Sequence, residues 1–167
     1  MSNKKAVISQ IEEFFKSEDK GVLITGTQLY QKHLLAVAWI EKNYKNANVL
    51  FRTNALQSVS ERSFLGCVGV KKQPKAGEII PIGKNYYQFD SFNNEGTWDR
   101  TGYKFDFAIV YPIDALLRKN NFKAIDDLYE FKEINKIILC SWIDKSSYDY
   151  SALNKYCNSH IIYDAIE

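Results

Sequence analysis

Residues 21–44 read Gly21-Val-Leu-Ile-Thr-Gly26-Thr-Gln-Leu-Tyr-Gln-Lys32-His33-Leu-Leu-Ala-Val-Ala-Trp-Ile-Glu-Lys-Asn-Tyr44, and the order of residue types in this stretch decides the fold. The apolar run 22–24 predicts a short buried strand, and Gly26 opens a loop after it. Lys32 stands six residues beyond Gly26, and a helix follows at once over residues 33–44. Leu34, Leu35, Val37, Ala38, Trp39 and Ile40 leave that helix little polar surface. A helix so apolar has to be covered on most sides, as one lying against the centre of a sheet is.

Working outward, Ile8, Ile11, Phe14 and Phe15 at helical spacing predict an amphipathic helix over residues 5–16, broken by residues 17–21. Residues 48–52 predict a second strand, followed by the polar turn Thr53-Asn54, and residues 56–64 predict a helix. Lys71, Lys72 and Lys75 fall in a basic, proline-containing loop. Residues 79–82 and 86–89, joined by Gly83-Lys84-Asn85, read as a β-hairpin. The polar stretch 93–104, with Trp98 and Arg100, reads as an exposed loop. Strands are expected at 107–111, 136–141 and 160–163, with helices through Leu116, over 124–131 and over 151–156. Strands alternating with helices predict an α/β fold, a mostly parallel sheet in three layers with helices on both faces and a hairpin insertion near 79–90. No repeat or domain boundary is visible, so residues 1–167 are expected to form one domain.

Composition narrows the function classes. The chain has 167 residues, is 46% hydrophobic, and carries a formal charge of only +2, too weak a balance to imply nucleic acid by itself. No stretch is long and apolar enough for a membrane span, and Met-Ser-Asn-Lys-Lys lacks an apolar signal core, so a cytoplasmic location is expected. Cys67, Cys140 and Cys157 are odd in number and widely spaced, which predicts reduced thiols rather than a disulfide framework or zinc site. With only His33 and His160 available, no metal site is expected.

The order of these elements resembles the RecA-like core of P-loop NTPases, in particular the first motor domain of helicases, over residues 5–163. Residues 26–33 correspond to the Walker A loop, G-x-x-x-x-G-K-[ST]. Residues 49–54, Val-Leu-Phe-Arg-Thr-Asn, sit where such proteins carry a strand and turn that touch a nucleic-acid backbone. Residues 105–114, Phe-Asp-Phe-Ala-Ile-Val-Tyr-Pro-Ile-Asp, have the shape of the Walker B strand. Residues 136–142, Lys-Ile-Ile-Leu-Cys-Ser-Trp, sit where the family has a strand ending in a polar residue that senses the γ-phosphate. The resemblance implies phosphate binding by Gly26, Lys32 and His33, and ATP with Mg2+ as the cofactor of a working member.

The departures fall on that chemistry. Gln31 replaces the second glycine, and in a left-handed conformation it would cost roughly 1–2 kcal/mol. Leu29 and Tyr30 are bulky where small residues are usual, and His33 replaces the hydroxyl that binds magnesium. Tyr111 stands for the magnesium aspartate and Pro112 for the usual glutamate. Asp106 and Asp114 flank the strand as substitute carboxylates, although a cap at the strand entry and a cap on the following helix are the simpler roles. Asp126 and Asp127 point about 100° apart on a helix, which suits a solvated face better than a catalytic pair. Lys32 at a helix N-terminus could hold an anion or simply be solvated.

These features predict a catalytically degenerate P-loop-like domain that acts by binding, with no cofactor and no catalytic residues. The expected partner is a nucleic acid or a protein of nucleic-acid metabolism, because the resemblance retains the scaffold while the metal and base residues are lost. Candidate contacts are Arg52, Thr53, Asn54, Lys71, Lys72, Lys75, Trp98, Arg100 and Trp142, a mixture of cations, polar groups and aromatics suited to a single strand. Two alternatives are an active nucleotide-dependent enzyme, with magnesium held by Asp106 or Asp114, and a protein-only accessory module that mimics a motor domain. Oligomeric state is not legible.

Overall fold

The computed structural model describes residues 3–143 and 148–165. Asp144, at the end of the Trp142-Ile143-Asp144 stretch, lies outside them. One sheet of seven strands runs in the order β3-β4-β2-β5-β6-β1-β7. Its strands are β1 (Gly21–Thr25), β2 (Asn48–Thr53), β3 (Ile80–Ile82), β4 (Asn85–Ser91), β5 (Lys104–Tyr111), β6 (Glu133–Cys140) and β7 (Ser159–Ile162). All neighbouring pairs are parallel except β3–β4, which is the expected hairpin. The second strand of the hairpin belongs to the main sheet, since β4 pairs in parallel with β2 from Asn48↔Tyr86 to Thr53↔Ser91.

Each central strand buries both of its faces. Val22 and Ile24, Phe51, Ile109 and Ile138 enter one core, while Leu23, Leu50, Val110 and Leu139 enter the other. Side chains alternate across a strand, so a strand covered on both faces reads as a near-continuous apolar run, and a buried polar residue in it needs a partner. Helices α1 (Lys4–Lys16) and α2 (Lys32–Asn43) cover the first face; α3 (Ile113–Lys119) and α4 (Lys123–Glu130) cover the second. On α1, Val7, Ile11 and Phe14 form the buried stripe, and Phe15 meets Phe107 edge-on at 5.3 Å. Lys136 closes the C-terminal end of α1 by donating to the carbonyls of Phe14 and Ser17.

Several expectations need correction. Residues 56–64 do not form a helix; a single 3-10 turn, Leu56–Ser58, is followed by irregular chain. Ser58, Ser60 and Ser63 make that segment a poor helix former. Residues 151–156 likewise reduce to the 3-10 turn Ser151–Leu153. The stretch 93–104 is not simply an exposed loop: Glu95–Arg100 is a 3-10 helix that buries Thr97 and Trp98. Among the described residues no helix is long and apolar enough to cross a membrane.

Candidate functional site

The parallel strands bring Thr25, Tyr111 and Ser141 to one edge of the sheet, where open α/β folds place ligands. The loop after β1 turns at Gly26, whose φ of 120° only glycine adopts readily. A Cβ there would meet the Tyr163 carbonyl oxygen at 2.2 Å, so the chain beyond β7 lies directly against the turn. That chain takes up the loop's first donors. Gln28 N–H donates to the Tyr163 carbonyl, and Thr27 N–H donates to the Asp164 carboxylate at 3.0 Å. The left-handed residue is Tyr30 (φ 59°), whereas Gln31 is right-handed (φ −113°), so the strain expected at Gln31 falls one residue earlier. Tyr30 is partly exposed and its ring sits 6.0 Å from that of half-buried Trp142.

Lys32 is buried, and its ammonium donates to the Gln28 carbonyl of its own loop at 3.0 Å and to the Trp142 carbonyl at 3.1 Å. The ammonium expected from sequence to reach a phosphate thus bridges two carbonyls, one in the loop and one beyond β6. His33 is fully buried and stacks on Tyr111, ring centroids 4.0 Å apart and 22° from parallel. These are the two positions where the resemblance read from the sequence implied magnesium ligands. His33 Nε2 lies 2.8 Å from the Phe64 carbonyl and donates to it, which leaves Nδ1 buried without a partner among the described residues. Burial is the main cause that lowers the His33 pKa to about 4, with the charge of Lys32 acting in the same direction and the Phe64 bond against it. Burial likewise pushes the Tyr111 phenol above its ordinary value.

The substitute carboxylates are committed elsewhere. Asp114 accepts from Trp142 N–H at 2.7 Å and from Ile143 N–H at 3.1 Å, tying the start of α3 to the end of β6 rather than capping its own helix. Asp106 accepts from Asn48 N–H at 2.8 Å. It sits five residues before Tyr111 on β5, roughly 16 Å away along the strand, at the wrong edge of the sheet for the loop. Ser141 is the polar residue at the end of β6, with a buried hydroxyl that has no partner among the described residues. No group of three His, Cys, Asp or Glu side chains among the described residues is placed to hold a metal ion.

Arg52 is fully buried and is corrected from a surface contact to the centre of an ionic network. It forms a fork onto Asp90, Nε to Oδ1 at 2.7 Å and Nη2 to Oδ2 at 2.8 Å. Its Nη1 donates to Asp127 and to the Ala124 carbonyl. Burial opposes its charge, but the two carboxylates prevail and the pKa is raised. Trp98 lies beneath, its ring 4.7 Å from the guanidinium carbon, and its indole N–H donates to the Ser91 carbonyl. Trp98 therefore faces the core and offers no stacking surface. Asp126 and Asp127 do not form a solvated face either, because Tyr156 donates to Asp126 and Arg52 to Asp127. The sequence signal is a single charge at the end of each of two apolar runs, Arg52 after 49–51 and Asp90 after 86–89, and only the register places them opposite each other.

Thr53 is buried and donates to Asn54, whose half-buried carbonyl accepts from Ser91 and Asn93. Lys71, Lys72, Lys75 and Arg100 remain exposed. The loop carrying the lysines runs beside β4, with Gly77 N–H bonded to the Phe89 carbonyl. A Cβ on Gly77 would meet the Arg100 carbonyl at 2.1 Å, so the two basic segments adjoin. Lys72 comes within 3.8 Å of Glu78.

No protein-family model matches the chain, and no curated protein does. Among solved structures, the chain is similar to the large terminase of a thermophilic bacteriophage, with a TM-score of 0.58 and 14% identity over 97% of this chain and 45% of that one. The fold is RecA-like. The chain spans less than half the length of that terminase, and at such identity the likeness speaks to fold alone.

Proposed function

We propose that this chain is a catalytically degenerate P-loop-like binding domain, acting on nucleic acid or on a protein of nucleic-acid metabolism without efficient NTP hydrolysis. The observation that carries the reading is the 4.0 Å stack of His33 on Tyr111. Magnesium requires oxygen ligands in near-octahedral geometry. A neutral imidazole and a protonated phenol, stacked face to face, fit that requirement poorly. The loop donors engaged by Tyr163 and Asp164, and Lys32 bound to carbonyls, support the same conclusion. An active enzyme with a rearranged magnesium site is disfavoured, because Asp114 is held by two backbone N–H groups and Asp106 lies at the far edge of the sheet.

Likeness in fold to a phage large terminase favours a partner in nucleic-acid metabolism. Of the contacts expected from sequence, Lys71, Lys72, Lys75 and Arg100 keep the exposure this role needs, and they adjoin at the β4 side of the sheet. Purified protein should turn over no ATP with magnesium; turnover that Lys32→Ala abolishes would overturn the reading. Replacing Lys71, Lys72 and Lys75 together by Glu should weaken oligonucleotide binding. It should also flatten the dependence of log K on log salt by about 0.7 for each single-strand phosphate that a lysine no longer neutralises. A protein with no oligonucleotide affinity even at low salt would instead be the protein-only accessory module.

A further inference from the structure

We infer that the groove between α1 and α2 docks an acidic amphipathic helix of a partner protein. This inference goes beyond the function proposed above, and of the residues invoked there only Tyr163 also lines the groove. The two helices lie side by side on the sheet and leave a cavity of about 330 Å³ between them. Ile8 on α1 and Leu34, Ala38 and Trp39 on α2 line it, all half-buried or exposed. Leu34, Ala38 and Lys42 recur every fourth residue, so they share one face of α2. From Gln31 to Lys42 that face is about 16 Å long, the rise of three helical turns. Ala38, at its middle, presents only a methyl group and lets a partner backbone approach closely.

The groove is large enough to hold several waters, and its largely apolar walls return few hydrogen bonds to them. Exchanging those waters for apolar side chains is favourable. Helix-in-groove recognition has this form, an apolar stripe read at i, i+3/i+4 and i+7. Charge selects the occupant. Lys4 and Lys42 border the groove, no carboxylate lines it, and neither lysine forms an ion pair among the described residues. Carboxylates flanking the partner's apolar stripe would meet both cations. A nucleic acid fits badly, because its phosphates would border an apolar floor that cannot solvate them.

The test is fluorescence anisotropy with a labelled, stapled three-turn helix bearing Leu along one face and Glu beside it. The same helix with Lys in place of each Glu is the control. The Glu helix should saturate at micromolar protein, and the Lys helix should bind about tenfold more weakly or worse. Ala38→Arg should weaken the Glu helix by about tenfold or more, and Lys4→Glu combined with Lys42→Glu should reverse the preference. All three positions are at the surface, and thermal melts would verify folding. If Ala38→Arg does not fold, the charge-reversed pair decides alone. Failure of the Glu helix to bind at low salt, or equal binding of both helices, would overturn the proposal. Self-association that Ala38→Arg abolishes in sedimentation would also overturn it and assign the groove to a second copy of the chain. None of these results touches the lysine-loop reading, which the oligonucleotide salt slope tests separately.

Discussion

His33 should make this protein lose stability as pH falls, and the amount follows from its surroundings. The folded-state pKa is about 4, against an ordinary value of 6.5, because the buried ring cannot take up charge beneath Tyr111. A depressed pKa means that the unfolded chain binds the proton first as pH drops below 6.5. The contribution is therefore complete above that value, is lost between pH 6.5 and about 4, and levels off below. A gap of about 2.5 units at 1.36 kcal/mol each amounts to about 3 kcal/mol by pH 4, and about 2 kcal/mol is already gone at pH 5. Other groups also titrate in this range, so the measurement needs a reference. His33→Phe keeps a ring on Tyr111 but cannot titrate. Urea unfolding of both proteins at pH 7, 6, 5 and 4 gives two stability curves, and their difference isolates the imidazole. Loss of the bond to the Phe64 carbonyl offsets the variant by a constant that does not depend on pH. The wild type should fall by about 3 kcal/mol more than the variant between pH 7 and 4. Parallel curves, or an imidazole that titrates near 6.5 by NMR, would refute the reasoning.

The ionic network predicts a second outcome. Arg52→Met should cost about 3–5 kcal/mol in chemical denaturation, because Asp90 is left buried and charged, and Asp90→Leu added to it should recover much of the loss. Gly26→Ala should cost about 2 kcal/mol or more in the same assay, since φ is 120° and the new methyl meets the Tyr163 carbonyl. Wild-type stability for that variant would mean the loop does not lie against the β7 tail.

Much of the architecture is a local property and was legible without a structure. Strands buried on both faces are apolar along most of their length, so the runs within 22–24, 48–52, 107–111 and 136–141 announce themselves, and α2 shows its burial in its own composition. Segments whose state depends on competition were read less well. Residues 56–64 carry enough apolar residues to suggest a helix, but serines weaken it and packing against the core overrides the pattern.

The sequence by itself determined the order of strands and helices, and that a glycine turn and Lys32 stand between a strand and an apolar helix. It also showed that His33, Tyr111 and Pro112 occupy positions where other chemistry was expected. Only the tertiary structure decided what those side chains do. His33 meets Tyr111 because β5 lies one strand beyond β6, and Lys32 reaches Trp142 because β6 pairs with β1. Arg52 looked like a surface cation and is a core residue, since its partners lie 38 and 75 positions along the chain. Propensity and spacing report on neighbours within a few residues. A charge's partner is set by which strands become adjacent, and adjacency exists only once the sheet has formed.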